Sequence, residues 1–149
     1  MENAFVIAPM NEKTVSQVAM LEEACFSAPW SEESLREVLG REEFLYLTVC
    51  EGDEVLGYGG VYFAADEANI TNIAVRSSAR RRGIGNRIVN AILTEAKKRG
   101  ATTVYLEVRV GNDGARRLYE RCGFTLAGVR RGFYDKPKED GCVYVCPIA

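Results

Sequence analysis

The sequence contains no histidine. That one absence removes the Ser-His-Asp triad, the Cys-His nucleophile pair and histidine-ligated zinc together. It has no long apolar run either. The longest weakly polar stretch, VLGYGGVYFAA from Val55 to Ala65, is too short and too glycine-rich to cross a bilayer. The opening residues, MENAFVIAPMNEKT, lack the basic n-region and apolar core of a secretory signal. The expected setting is the cytoplasm, without a membrane partner. Low-complexity tracts, internal repeats and linkers are missing too. The five cysteines are odd in number and show no framework spacing. Cys142 and Cys146 fall four apart on a strand-like stretch and would share one face. They are half a metal site with nothing to supply the other half, or buried reduced thiols; the second is expected, and no metal with it.

What is present fits one domain over residues 1–149. A chain of this length buries roughly 68–70% of its unfolded surface, so its core needs no staples. Apolar residues make up 47% and charged ones 27%, as in ordinary soluble domains. The net charge of −2 hides an asymmetry. Residues 1–75 carry fourteen acidic groups against three basic, a net of −11, and residues 76–149 carry sixteen basic against seven acidic, a net of +9; together these give −2. Two readings fit: solvated helix faces, or a site with an anionic ligand on one side and a cationic one on the other.

Periodicity and turn residues set the order β-α-α-β-β-β-α-β-α-β-β, a mixed α/β domain. FVIAPM (Phe5 to Met10) reads as a strand. Residues 11–26 read as a helix with Val15, Val18, Ala19 and Glu22 at helical spacing. A short helix follows Ser31, its N-cap, and stops at Gly40. A hairpin turns at Gly52-Asp53. A strand over 67–75, a helix over 83–99 and a strand over 103–108 make a βαβ unit with parallel strands. In its helix Ile84, Ile88 and Ile92 stand four apart, and Val89, Leu93 and Ala96 widen the stripe. A helix capped by Asn112 and stopped by Gly123 precedes two last strands, over 126–134 and 142–148.

Between the fourth strand and the long helix stands RRRGIGN, Arg80 to Asn86. Free N–H groups at a helix start, with the positive end of its dipole, suit a phosphate. Gly83 and Gly85 keep Cβ atoms out of the way, and Arg80, Arg81 and Arg82 add charge and fork-shaped donors. The third glycine of a dinucleotide fingerprint is missing, with Ile88 in its place, and no Lys-Ser/Thr follows as in a P-loop. Taken alone, the loop is also compatible with a basic surface turn.

The flanks carry more. Arg80-x-x-Gly83-x-Gly85 follows NIAV (72–75), and YLEVRVGNDGARRLYERCGF (105–124) comes later. This order resembles the GNAT family of N-acetyltransferases over nearly the whole chain, from about Glu2 to Ile148. Within that family PWS (29–31), LEVR (106–109), LYE (118–120) and RRGFY…EDG (130–141) look most like the RimI-type ribosomal-protein-alanine N-acetyltransferases. The resemblance implies a GNAT fold: a mixed sheet of about seven strands with about four helices, split in a V between the strands 67–75 and 103–108. It implies acetyl-CoA as cosubstrate. The pantetheine arm would pair with the backbone of Ile73, Ala74 and Val75, and the pyrophosphate would lie on the amides of Arg81, Arg82, Gly83, Ile84, Gly85 and Asn86. The family often has Arg where Asn86 stands. Asn112, a helix cap, would also touch the CoA arm.

By the same resemblance Glu107 is the general base, through a water. Alternation puts its side chain opposite Leu106 and Val108, which equally suits a solvated glutamate. Tyr119, in LYE, would return a proton to the thiolate, and a backbone N–H near Val75 would stabilise the oxyanion. An α-amine, with a pKa of roughly 7.7–8.0, needs only a modest base, whereas lysine, near about 10.4, needs far more. Trp30, Arg131 and Tyr134 would wall the peptide groove, Trp30 being equally readable as a packing anchor. Gly132 and Phe133 depart from the family's Asn-Tyr. Cys122 has no base to activate it and is not expected to be acylated.

The expected activity is acetyl transfer to the N-terminal α-amine, alanine above all, of a small-subunit ribosomal protein or a similar basic peptide. A polyamine or drug acetyltransferase would share the cofactor half and differ in the acceptor loops. A non-catalytic acyl-CoA-binding module would not need the Glu107/Tyr119 pair. Direct nucleic-acid binding is not expected, because the arginines gather at one helix mouth in an acidic chain.

Overall fold

The computed structural model describes residues 5–148; Met1 to Ala4 and Ala149, which the one-domain expectation includes, lie outside the described residues. The chain runs β1 (Phe5–Pro9), α1 (Val15–Cys25), α2 (Glu32–Glu37), β2 (Phe44–Glu51), β3 (Glu54–Ala64), β4 (Glu67–Val75), α3 (Ile84–Lys98), β5 (Thr103–Arg109), α4 (Asp113–Arg121), β6 (Thr125–Tyr134) and β7 (Glu139–Pro147). A 3-10 turn, Ser77–Ala79, leads out of β4. The element order is the expected one, and the bounds shift for local reasons. The first helix starts at Val15 rather than at 11, because Asn11 and Thr14 make a turn of their own. Asn11 Oδ1 accepts from Lys13 N at 2.8 Å, and Thr14 Oγ1 accepts from Asn11 N at 3.0 Å. The last strand starts at Glu139, earlier than 142, because Gly132 N donates to Asp140 Oδ1 at 2.7 Å and closes the β6–β7 hairpin.

The seven strands form one sheet in the order β1-β2-β3-β4-β5-β7-β6. Alternation in β2 sends Leu45, Leu47 and Val49 to one face and Tyr46 to the other. On the first face α3 lays down Ile84, Ile88, Val89, Ile92 and Ala96. On the second, α1 and α2 bring Val15, Val18, Leu21 and Leu35. Cys142 and Cys146 are buried thiols within the first layer.

The pairing between β4 and β5 positions the site. It is parallel but lasts only from Glu67/Thr103 to Asn69/Tyr105, after which the strands part. The cause lies in β4 itself. Opposite β3, Gly60 faces Asn72 and Val61 faces Ile70, so Thr71 is an extra residue, a bulge. A bulge adds twist and bends its strand. Gly60 permits it: a Cβ there would lie 2.6 Å from Thr71 Oγ1 and 2.7 Å from the Tyr46 ring. Beyond the fork, among the described residues, β4 has no partner on its β5 side and β5 pairs only with β7.

Candidate active site

A cavity of about 530 Å³ fills the fork. Ile70 to Ile73 of β4 form one wall and Leu106 to Arg109 of β5 the other. The loop after α1 (Phe26 to Ala28), the β6–β7 turn (Phe133, Tyr134, Lys136, Pro137) and α4 (Asn112, Ala115, Tyr119) close it.

Of the residues singled out in the sequence, Ile73, Glu107, Asn112, Tyr119 and Tyr134 come together on this lining. Leu106 and Val108 are buried, and Glu107 points the other way, as alternation requires. Its Oε2 accepts from Arg130 Nη1 at 3.1 Å, in a pair exposed enough for water to reach. Tyr119 is buried on α4, edge-on to Phe124 at 5.9 Å. Among the described residues no hydrogen bond reaches its hydroxyl, which is open to the cavity rather than sealed in the protein. Burial, with smaller contributions from the nearby Tyr134 and Cys122, pushes this phenol well above its ordinary value. It therefore holds its proton firmly, and donation costs more than it would from a free tyrosine. Burial and the nearby Glu107 push Tyr134 up to about 12, against the opposing charge of Arg109. Asn112 Oδ1 caps α4, accepting from Ala115 N at 3.2 Å.

The other expected residues lie off this lining. Ala74 is buried toward α1, so only its backbone is available to the cleft. Val75 O accepts from Arg80 Nε at 3.3 Å. The loop from Arg81 to Asn86 enters α3 through two left-handed residues, Arg81 at φ 66° and Gly83 at φ 77°. The first N–H of α3 with an intrahelical acceptor is that of Arg87, bonded to Gly83 O, so Ile84, Gly85 and Asn86 have none. Arg82 is engaged elsewhere, with Glu51 at 3.3 Å and over the Phe5 ring at 4.7 Å. Asn86 Oδ1 accepts from Cys122 Sγ. Gly85 sits on α4, where a Cβ would be 3.1 Å from Leu118 Cδ2. Trp30 lies outside the cavity, against Phe44 and Tyr46, with ring centroids 6.3 and 6.2 Å away. Half-buried against the core beside the α1–α2 loop, it reads as a packing anchor rather than a groove wall. Arg131 is exposed and off the lining.

Arg109, to which the LEVR motif assigns no role, joins two walls. It donates to Pro137 O and Asp135 O, both at 2.9 Å, to Glu139 at 3.2 Å and to Ser27 Oγ at 3.3 Å, and it stacks on Tyr134 at 4.5 Å. The available signal was its spacing: two residues after Glu107, it shares that residue's face. Glu22, placed by the sequence only as part of a helical stripe, is likewise a functional candidate; its signal is a charge within an otherwise apolar stripe. Among the described residues no cluster of three metal-binding groups exists, and no helix is long and apolar enough to cross a membrane.

A family model described as the acetyltransferase (GNAT) family matches residues 15–124. The [ribosomal protein bS18]-alanine N-acetyltransferase of Escherichia coli (strain K12) is 32% identical over 131 residues, 87% of this chain and 88% of that protein. Its counterpart from Salmonella typhimurium is 34% identical over the same shares. Among solved structures, the ribosomal-protein-S18-alanine N-acetyltransferase from Escherichia coli superposes with a TM-score of 0.88 at 29% identity, covering 97% of this chain and 94% of that one. The fold alone is shared with the NatC complex bound to Gag peptide and CoA, at a TM-score of 0.87 and 21% identity, covering 97% of this chain and 99% of that one.

Proposed function

Since the chain belongs to the acetyltransferase (GNAT) family, we propose that it moves an acetyl group from acetyl-CoA to the N-terminal α-amine of a peptide, an alanine of a small-subunit ribosomal protein above all. The observation that carries this is the fork: Glu107 and an unbonded Tyr119 hydroxyl on walls of one cavity, beside an unpaired strand edge. The relatives that act on the bS18 alanine supply the acceptor class.

The residues present fit acetyl-CoA. Beyond Asn69 the β4 backbone is free to pair with the amides of an extended arm. The N–H groups opening α3, bared by the left-handed turn at Gly83, suit its phosphates. Bound there, acetyl-CoA supplies an activated acetyl carbon and a thiolate as leaving group. Glu107 takes the proton of the incoming amine, directly or through one water, so that the neutral nitrogen attacks. The α-amine, near roughly 8, gives up that proton far more readily than lysine, near about 10.4. Tyr119 meets the thiolate with its proton. Asn112 holds the start of α4, and so the height of Tyr119 above the fork. Arg109 fixes Tyr134 and the β6–β7 turn as the acceptor's wall. Five free thiols suit a reducing cytoplasm.

Thiol release from acetyl-CoA tests this with three acceptors: an alanine-initiated basic peptide, the same peptide N-blocked with a free lysine, and a polyamine. Release with the first alone is expected. Release with the polyamine alone would keep the fold and the chemistry and sink the acceptor.

A further inference from the structure

The loop after α1 is fastened at both ends to one residue. Phe26 N–H donates to the main-chain oxygen of Glu22 at 3.0 Å, and Trp30 N–H donates to Glu22 Oε1 at 2.8 Å. The other carboxyl oxygen receives the Tyr58 hydroxyl and, at 2.9 Å, Asn72 Nδ2. Phe26, Ser27 and Ala28 line the cavity from the loop, and Asn72 lines it from the unpaired part of β4. Glu22 itself is fully buried and off the lining. No cation pairs with it among the described residues, and burial holds its carboxyl above the ordinary carboxylate range against the pull of Trp30 and Asn72. A buried carboxyl without a cation is costly. An apolar side chain there would pack with Val15, Val18 and Leu21 but leave Trp30 N–H and the Asn72 amide without an acceptor.

We propose that Glu22 is a positioning residue of the acceptor site, setting the distance between the Phe26–Ala28 wall and β4 and thereby the grip on the acceptor's first residue. This rests on the peptide-acetylation reading above. Glu22 touches neither the amine nor the thioester; it acts through the loop. What it supplies is oxygen atoms at a fixed reach, so a neutral amide of equal length serves. In Glu22→Gln the amide oxygen accepts from Trp30, the amide nitrogen donates to a rotated Tyr58 hydroxyl, and Asn72 turns its amide over. In Glu22→Asp the carboxyl draws back by one methylene and the Trp30 bond is lost.

Three measurements on the whole chain decide: KM and kcat for the alanine-initiated peptide, acetyl-CoA affinity by calorimetry, and acrylamide quenching of Trp30, the single tryptophan. Glu22→Asp is expected to raise the peptide KM about tenfold, change kcat and acetyl-CoA affinity by less than about twofold, and expose Trp30 to quencher. Glu22→Gln is expected to stay within about threefold of the parent in every measure. A peptide KM untouched by Asp, a Gln variant as impaired as Asp, or acetyl-CoA binding lost in step with the peptide would each overturn the proposal. Should the Asp variant not fold, Gln decides alone: parent-like KM and quenching support it, and a tenfold rise overturns it. If the parent protein acetylates no peptide, the functional reading falls instead. Quenching then decides for Glu22: Trp30 exposed in Asp and protected in Gln upholds its hold on the loop, and equal quenching in all three removes it.

Discussion

In the proposed mechanism Glu107 and Tyr119 divide two proton transfers, and their surroundings differ accordingly. Among the described residues Glu107 is open to water and bonded only by the exposed Arg130, and Tyr119 is buried with no hydrogen bond to its hydroxyl. Glu107→Gln is expected to lower kcat by about 10²–10⁴ while acetyl-CoA affinity stays put. Tyr119→Phe keeps the contacts with Phe124 and Tyr144 and should shift stability by less than about 0.5 kcal/mol. It should nonetheless slow thiol release, and a Phe variant with full kcat would remove Tyr119 as the acid. Both cavity phenols are raised in the folded state, so the unfolded chain loses these protons first. Their contribution is complete below about pH 10, the ordinary tyrosine value, and is lost as pH climbs toward the folded one. Denaturant midpoints should fall across that alkaline range, and less so in Tyr134→Phe, whose parent group sits at about 12. At this scale the sequence showed what a residue's own strand or helix decides: the outward turn of Glu107, the cap at Asn112. It did not show that Trp30 faces the core. Nor did it show the partners of Arg109 and Glu22, because Ser27 lies 82 residues from Arg109 and Asn72 lies 50 from Glu22.

Among the elements, β4 is the one whose irregularity matters. Alternation and β-branched content mark it as a strand, but nothing in EANITNIAV states that Thr71 is surplus. That depends on Gly60 in the neighbouring strand and on Tyr46 in the one beyond. The fork was therefore expected from family likeness alone, whereas the helices and the Gly52-Asp53 turn followed from local chemistry. Gly60→Ala tests the dependence. Its methyl would strike Thr71 and Tyr46, costing about 1–3 kcal/mol. Urea unfolding should show that loss, with acetyl transfer falling as the bulge relaxes. An unchanged midpoint would mean that the bulge does not need the glycine.

Across the whole molecule the two charge readings separate. Several acidic groups of the first half are already spent: Arg36 pairs with Glu12 and Glu32, and Arg41 with Glu43. Glu33 and Glu37 on α2 have no ion-pair partner among the described residues and remain to attract a cationic peptide. Their pull is long-ranged and exposed, so salt weakens it. The KM of a basic peptide should rise several-fold, about three to ten times, between 50 and 500 mM salt, largely through slower association. A KM indifferent to salt would favour the solvated-face reading.

The short seam of three residue pairs between β4 and β5 has a mechanical consequence. Two half-sheets, one of four strands and one of three, meet like covers on a partial spine. An extended arm lying against β4 would act as a borrowed strand and stiffen the joint from outside. Amides from Ile70 to Val75 should then exchange with solvent more slowly once CoA is added, and those of the outlying β1–β2 pair should not. The ligand would be, for as long as it stays, part of the framework that holds it.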